Sequence, residues 1–167
     1  MSSTRIYVSS TLSGLAAMMG SGGVGPPPFL AHAVTDRLRE AHPRGDEEEL
    51  EHAALTAAAQ QSLGMLTDQD VPRRLVLALD VPSVIPVREG EPSLVEVQEV
   101  VPTTKLAACH VDAEDAEPVV RAAATAWPDA EAGDAEARRL VDRCVEHELG
   151  WFATQEIGEL LDRFGRP

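Results

Sequence analysis

The apolar pattern of this sequence predicts an α+β or mixed α/β fold, on three observations. Residues 75–81, LVLALDV, are apolar on both sides and run into Pro82, as a central strand covered on both faces would. Residues 93–101 set Leu94, Glu96 and Gln98 against Val95, Val97 and Glu99, the period-two alternation of a strand with one side in water. Helical repeats surround these strands, the clearest being residues 134–152, DAEARRLVDRCVEHELGWF. The expected architecture is a single domain, residues 1–167, with a mixed sheet of about five strands packed against helices.

Taken in order, residues 5–9 form a β-rich run, and Thr11 caps a helix to Met19 with Leu12, Leu15, Ala16 and Met19 on one face. GSGGVGPPP, residues 20–28, ends that helix as a loop. Its glycines follow a helix and match neither phosphate-loop nor dinucleotide spacing, so no nucleotide site is read there. Residues 29–34 are a second strand, in which His32 reads as a core or strand-edge histidine, and Thr35 or Asp36 caps a short helix ending before Pro43. Asp46, with Glu49 three residues on, opens the longest helix, which lasts to about Leu66 and carries a small-residue face of Leu50, Ala53, Ala54, Ala57 and Ala58. Residues 82–92 are an irregular excursion, 106–112 a strand, 112–127 a helix and 128–133 a loop. Thr154 caps a last helix whose Ile157, Leu160, Leu161 and Phe164 face inward before Gly165.

A hydrophobic content of 44% with only 4% aromatics implies one core built of Leu, Val and Ala. A formal charge of −14 and a pI near 4.6 exclude the basic surface that nucleic-acid backbones require. The same charge suits a basic protein partner or a metal ion, although no motif specifies a metal or cofactor. Cys109 and Cys144 lie in apolar segments and form no metal knuckle, so they read as small buried thiols. No apolar run approaches the roughly 20 residues of a membrane span, and the N-terminal stretch lacks the apolar centre of a signal peptide. A soluble cytoplasmic protein is expected.

The candidate site begins with residues 134–152. Wound at about 100° per residue, Ala137, Leu140, Val141, Cys144, Val145, Leu149, Trp151 and Phe152 form one stripe, and Glu148 falls in its middle. A buried Glu148 would need a partner such as Arg5, and Glu148→Gln would then alter thermal stability. Asp80 ends the central strand, His110 and Asp112 alternate on one face of another, and His147 precedes Glu148. Should they converge, Asp80, His110, Asp112, His147 and Glu148 supply an acid–base pair or metal ligands. The spacing is nonspecific: HExxH is absent because Trp151 stands four after His147, and no GxSxG elbow occurs. The plainer account makes Glu148 a packing carboxylate and His110/Asp112 a strand end leading into an acidic helix start. Trp151 and Phe152 form a hydrophobic corner or, alternatively, an anchor for a partner.

The stretches RIYVSSTLSGL, FLAHAVTDRLRE, DEEELEHAALTAAA, LVLALDV, AACHVDAEDAEPVVRAAA and HELGWFATQEI resemble, in that order, a family of small uncharacterised actinobacterial proteins. The resemblance covers nearly the whole chain and implies a self-contained cytoplasmic domain with no assigned catalytic residues. Two functions are therefore expected in order: a non-catalytic protein-interaction or regulatory domain, or a small hydrolase or group-transfer enzyme using Glu148 with His147, His110 or Asp112. Glu148 and His110 together in an open pocket favour the enzyme, whereas Glu148 sealed against Arg5 favours the interaction domain.

Overall fold

A computed structural model describes residues 2–164. The chain runs β1 (Thr4–Ser10), α1 (Leu12–Ser21), β2 (Gly23–Val24), β3 (Phe29–His32), α2 (Asp36–Ala41), α3 (Glu47–Leu63), β4 (Leu75–Val81), β5 (Ile85–Pro86), β6 (Leu94–Val97), β7 (Val101–Pro102), β8 (Leu106–Val111), α4 (Glu117–Glu131), α5 (Ala135–Asp142), β9 (Gly150–Ala153) and α6 (Ile157–Phe164).

Local chemistry sets most of the helix starts. The Thr11 and Thr35 hydroxyls each accept a hydrogen bond from an otherwise orphaned N–H, that of Gly14 and Leu38 respectively, both at 3.0 Å. Asp46 does the same for Glu49 N–H at 2.8 Å, and Asp134 for Ala137 N–H at 2.9 Å. The first turn of α3 holds Glu47, Glu48 and Glu49, where the helix dipole favours negative charge.

The main sheet has seven strands in the order β5-β6-β3-β1-β4-β8-β9. β4 is central and apolar on both sides, and each side meets a different layer. Leu75, Leu77 and Leu79 join Ile6, Val8 and Cys109 beneath α1 and α6, through Leu15, Ile157 and Leu160. Val76 and Ala78 join Tyr7 and Ala108 beneath α3. Each fully buried leucine contributes about 1.5–3 kcal/mol of transfer free energy, so the core of the fold is this doubly covered strand. α3 approaches closely because Ala54 and Ala58, both 0% exposed, present almost no side chain to the sheet. Hydroxyls then fasten it: Ser9 Oγ donates to Ala58 O at 2.6 Å and Ser62 Oγ to Ser10 O at 2.7 Å. α4 and α5 form a flanking cluster with Leu63.

Several expectations are corrected. The sheet is larger than about five strands and every strand pair is antiparallel, not mixed. Stretches read as loops also form strands: 82–92 contributes β5, which pairs with β6 and extends this sheet, and 20–28 contributes β2, which pairs with β7 in a separate two-stranded sheet. Strands of two residues are too short to carry a periodicity. The 128–133 loop starts late, because α4 continues through Pro128 to Glu131 at the expense of one backbone hydrogen bond. Before α6, Glu156 takes the capping role expected of Thr154, accepting Ala153 N–H at 2.7 Å. Gly165, expected to end that helix, lies outside the described residues.

The largest correction concerns residues 134–152. The α-helix stops at Asp142, a 3-10 turn follows over Arg143–Glu146, and Gly150–Ala153 is a strand paired with β8. Neighbouring aromatics fit a pleat as well as a helical stripe: Phe152 turns to the α1/α6 core, while Trp151 turns away from it and is 62% exposed. Pairing with β8 also satisfies backbone groups that an edge strand would leave open. Glu148 therefore never reaches the middle of a buried stripe. It is exposed, and Arg5 is engaged with Asp80 at 2.7 Å. Among the described residues the buried carboxylate is Asp112, 1% exposed.

Candidate functional site

Between α3 and the β8–β9 edge lies a cleft of about 320 Å³. Its helical wall is His52, Leu55, Thr56 and Ala59, which share one face of α3 at i, i+3, i+4 and i+7 spacing. Its sheet wall is His110 and Trp151, directly opposite each other in the β8–β9 ladder. Val145, His147, Glu148 and Leu149 close a third side from the segment ahead of β9, and Arg74 contributes from just before β4.

His110 faces α3 because it stands opposite Val76, a residue of the α3-side core, so the pleat turns both the same way. Loss of water pushes its pKa below the usual histidine value, and the positive charge of Arg5 pushes it further the same way. At neutral pH His110 is thus a neutral imidazole, able to accept a proton or donate a hydrogen bond. Burial raises the thiols instead, Cys109 to about 12, which removes both cysteines as nucleophiles at neutral pH.

Arg74 and Asp112 fix the base of the cleft. Their side chains are 3% and 0% exposed. Arg74 Nε donates to Asp112 Oδ2 at 2.8 Å and Nη2 to Oδ1 at 2.7 Å, a two-point fork, and Arg74 N–H adds a third bond to Oδ2 at 2.8 Å. Arg74 Nη2 also donates to His147 O at 2.8 Å. One buried pair therefore ties the start of β4, the end of β8 and the segment that carries His147 and Glu148.

Of the five residues that the sequence suggests could converge, the fold brings Glu148, His147 and His110 to one cleft. Asp112 stands behind Arg74 and reaches the cleft only through it. Asp80 is elsewhere, paired with Arg5. Trp151 borders the cleft, while Phe152 points to the opposite face. The cleft also takes His52, Thr56 and Arg74, to which no motif in the sequence points. The spacing of His52, Leu55, Thr56 and Ala59 on one α3 face was the available signal, but their sheet partners lie more than fifty residues away in the chain. Among the described residues no group of three or more His, Cys, Asp or Glu side chains is placed to hold a metal ion. No helix among them is long and apolar enough to cross a membrane.

A protein-family sequence model matches residues 4–161, which include every residue of the cleft. The chain belongs to DUF6912, a family of unknown function. No curated protein and no solved structure matches it. Membership of DUF6912 agrees with the resemblance noted from sequence to proteins without an assigned activity, and it brings no catalytic residues. The cleft of this DUF6912 member is therefore interpreted from its own geometry.

Proposed function

We propose that this protein binds a small molecule in the cleft between α3 and the β8–β9 edge, and that His110, His147 and Glu148 provide acid–base groups for hydrolysis or group transfer. The observation that carries this reading is convergence: residues from α3, β8, β9 and the 145–149 segment, far apart in sequence, border one concavity. A half-buried His110 and an exposed Glu148 on the same cleft put two ionisable groups in unlike environments, an arrangement suited to paired acid–base chemistry. Asp112 acts in this reading as a positioning residue, through Arg74 and the His147 carbonyl.

The test is a fragment screen read by the imidazole resonances of His52, His110 and His147, repeated on Thr56→Trp, which fills the cleft. Ligands are expected to move the three imidazoles together and to bind at least about tenfold more weakly to the variant. Ligands that leave these resonances unmoved, or bind Thr56→Trp equally, would overturn the reading.

A second reading is favoured by Trp151, 62% exposed on the outermost strand of a chain with charge −14: an anchor for a basic protein partner, without catalysis. Affinity purification from the native cell is expected, on that reading, to recover a basic protein with the wild type and to lose it with Trp151→Ser. Equal recovery by both argues against it.

A further inference from the structure

A guanidinium has five N–H donors. In Arg74 three are occupied, one on Nε and two on Nη2, by Asp112 and the His147 carbonyl. Among the described residues nothing accepts from Arg74 Nη1. The sealed side-chain polar atom without a partner among those residues is Gln60 Oε1, so Nη1 is not sealed. Arg74 is nevertheless 2% exposed, and it borders the cleft. Arg74 is thus buried to this degree, borders the cleft and keeps two donors that no described side chain or carbonyl takes.

Resting on the small-ligand reading of the cleft, we infer that its ligand carries an oxyanion, a carboxylate or a phosphate monoester, bound by Arg74 Nη1, with an apolar body lying among Leu55, Leu149 and the Trp151 indole. Asp112 holds the guanidinium from the far side by two parallel bonds, so the donors are already oriented and little order is lost when an acceptor arrives. The pair is formally neutral and the whole chain carries −14, so recognition depends on this local hydrogen-bonding geometry and not on long-range attraction. An alcohol or amide offers a weaker acceptor to the same donors, since a charged acceptor roughly doubles the strength of such a bond. At about 320 Å³ the cleft has room for a compact metabolite.

Benzoate, phenyl phosphate and benzyl alcohol share one ring and differ in the head group, so titrating each into the full chain tests the inference. The readouts are the Trp151 indole resonance and the guanidinium nitrogen resonances of Arg74 in arginine-labelled protein. The anionic probes are expected to bind at least about tenfold more tightly than benzyl alcohol and to shift the Arg74 nitrogens, and the tighter of the two assigns the head group to carboxylate or phosphate. Equal binding of all three at the cleft overturns the oxyanion inference and leaves the small-ligand reading intact. Failure of all three, and of every fragment in the wider screen, to perturb cleft resonances sinks both. Arg74→Lys keeps the charge and removes the fork. Where this variant stays folded by near-ultraviolet circular dichroism, it is expected to lose the anion preference while still binding benzyl alcohol, and retention of the preference contradicts the assignment. Where it does not fold, the three-probe comparison on the wild type decides.

Discussion

Asp112→Ala is expected to remove about 3–5 kcal/mol of stability, the usual result of deleting one partner from a buried ion pair. The substitution leaves the Arg74 guanidinium 3% exposed with its counter-charge gone, and it also strips the acceptor from Arg74 N–H. Against a total of about 5–15 kcal/mol for a domain this is a large fraction, and it corresponds to a fall in melting temperature on the order of 10 °C. Urea unfolding of wild type and variant measures it. The double variant Arg74→Met with Asp112→Leu is expected to recover most of the loss, because apolar residues of similar size often replace a buried pair at little cost. Glu148→Gln is the control: Glu148 is exposed, so the change should stay within about 0.5 kcal/mol. A strong effect at Glu148 together with a weak one at Asp112 would reverse the assignment of the buried carboxylate.

Stability is expected to fall by about 3 kcal/mol between pH 6.5 and pH 4 on account of His32 alone. His32 is 2% exposed, its Nδ1 is 2.8 Å from Ser93 Oγ, and burial lowers its pKa from 6.5 to about 4. In that window the unfolded chain binds a proton that the folded chain refuses, so acid favours unfolding. The contribution is complete above pH 6.5, declines by up to about 1.4 kcal/mol per pH unit, and levels off once the pH passes below the folded value. Carboxylates titrate over the same range, and a variant isolates the histidine from them. In His32→Asn, which keeps a polar partner for Ser93, the drop between pH 7 and pH 4 should be about 3 kcal/mol smaller than in the wild type. Identical drops would show that His32 gains its proton as readily folded as unfolded.

The candidate site was half legible before any fold was known. His110, His147 and Glu148 were singled out as residue types capable of proton transfer, and they border one cleft. Glu148 nevertheless reaches the cleft from an irregular segment and not from the continuous helix to Phe152 that the apolar stripe implies. Gly150, Trp151 and Phe152 fit either a helical stripe or a four-residue strand, and only the open edge of β8 decides between them. The ion pair beneath the cleft joins residues 38 positions apart, a distance over which no pattern in sequence operates.

What the sequence determined by itself was whatever depends on near neighbours. Thr11, Thr35 and Asp46 cap helices because their oxygens reach N–H groups three residues on, and residues 75–81 become a doubly covered strand because both of their sides are apolar. Tertiary structure alone decided the pairing of the β5, β2 and β9 segments, which carboxylate is buried, and the placing of His52 and His110 on one cleft. Those outcomes depend on which backbone groups and charges are left unsatisfied once the sheet has formed, and that is settled across space and not along the chain.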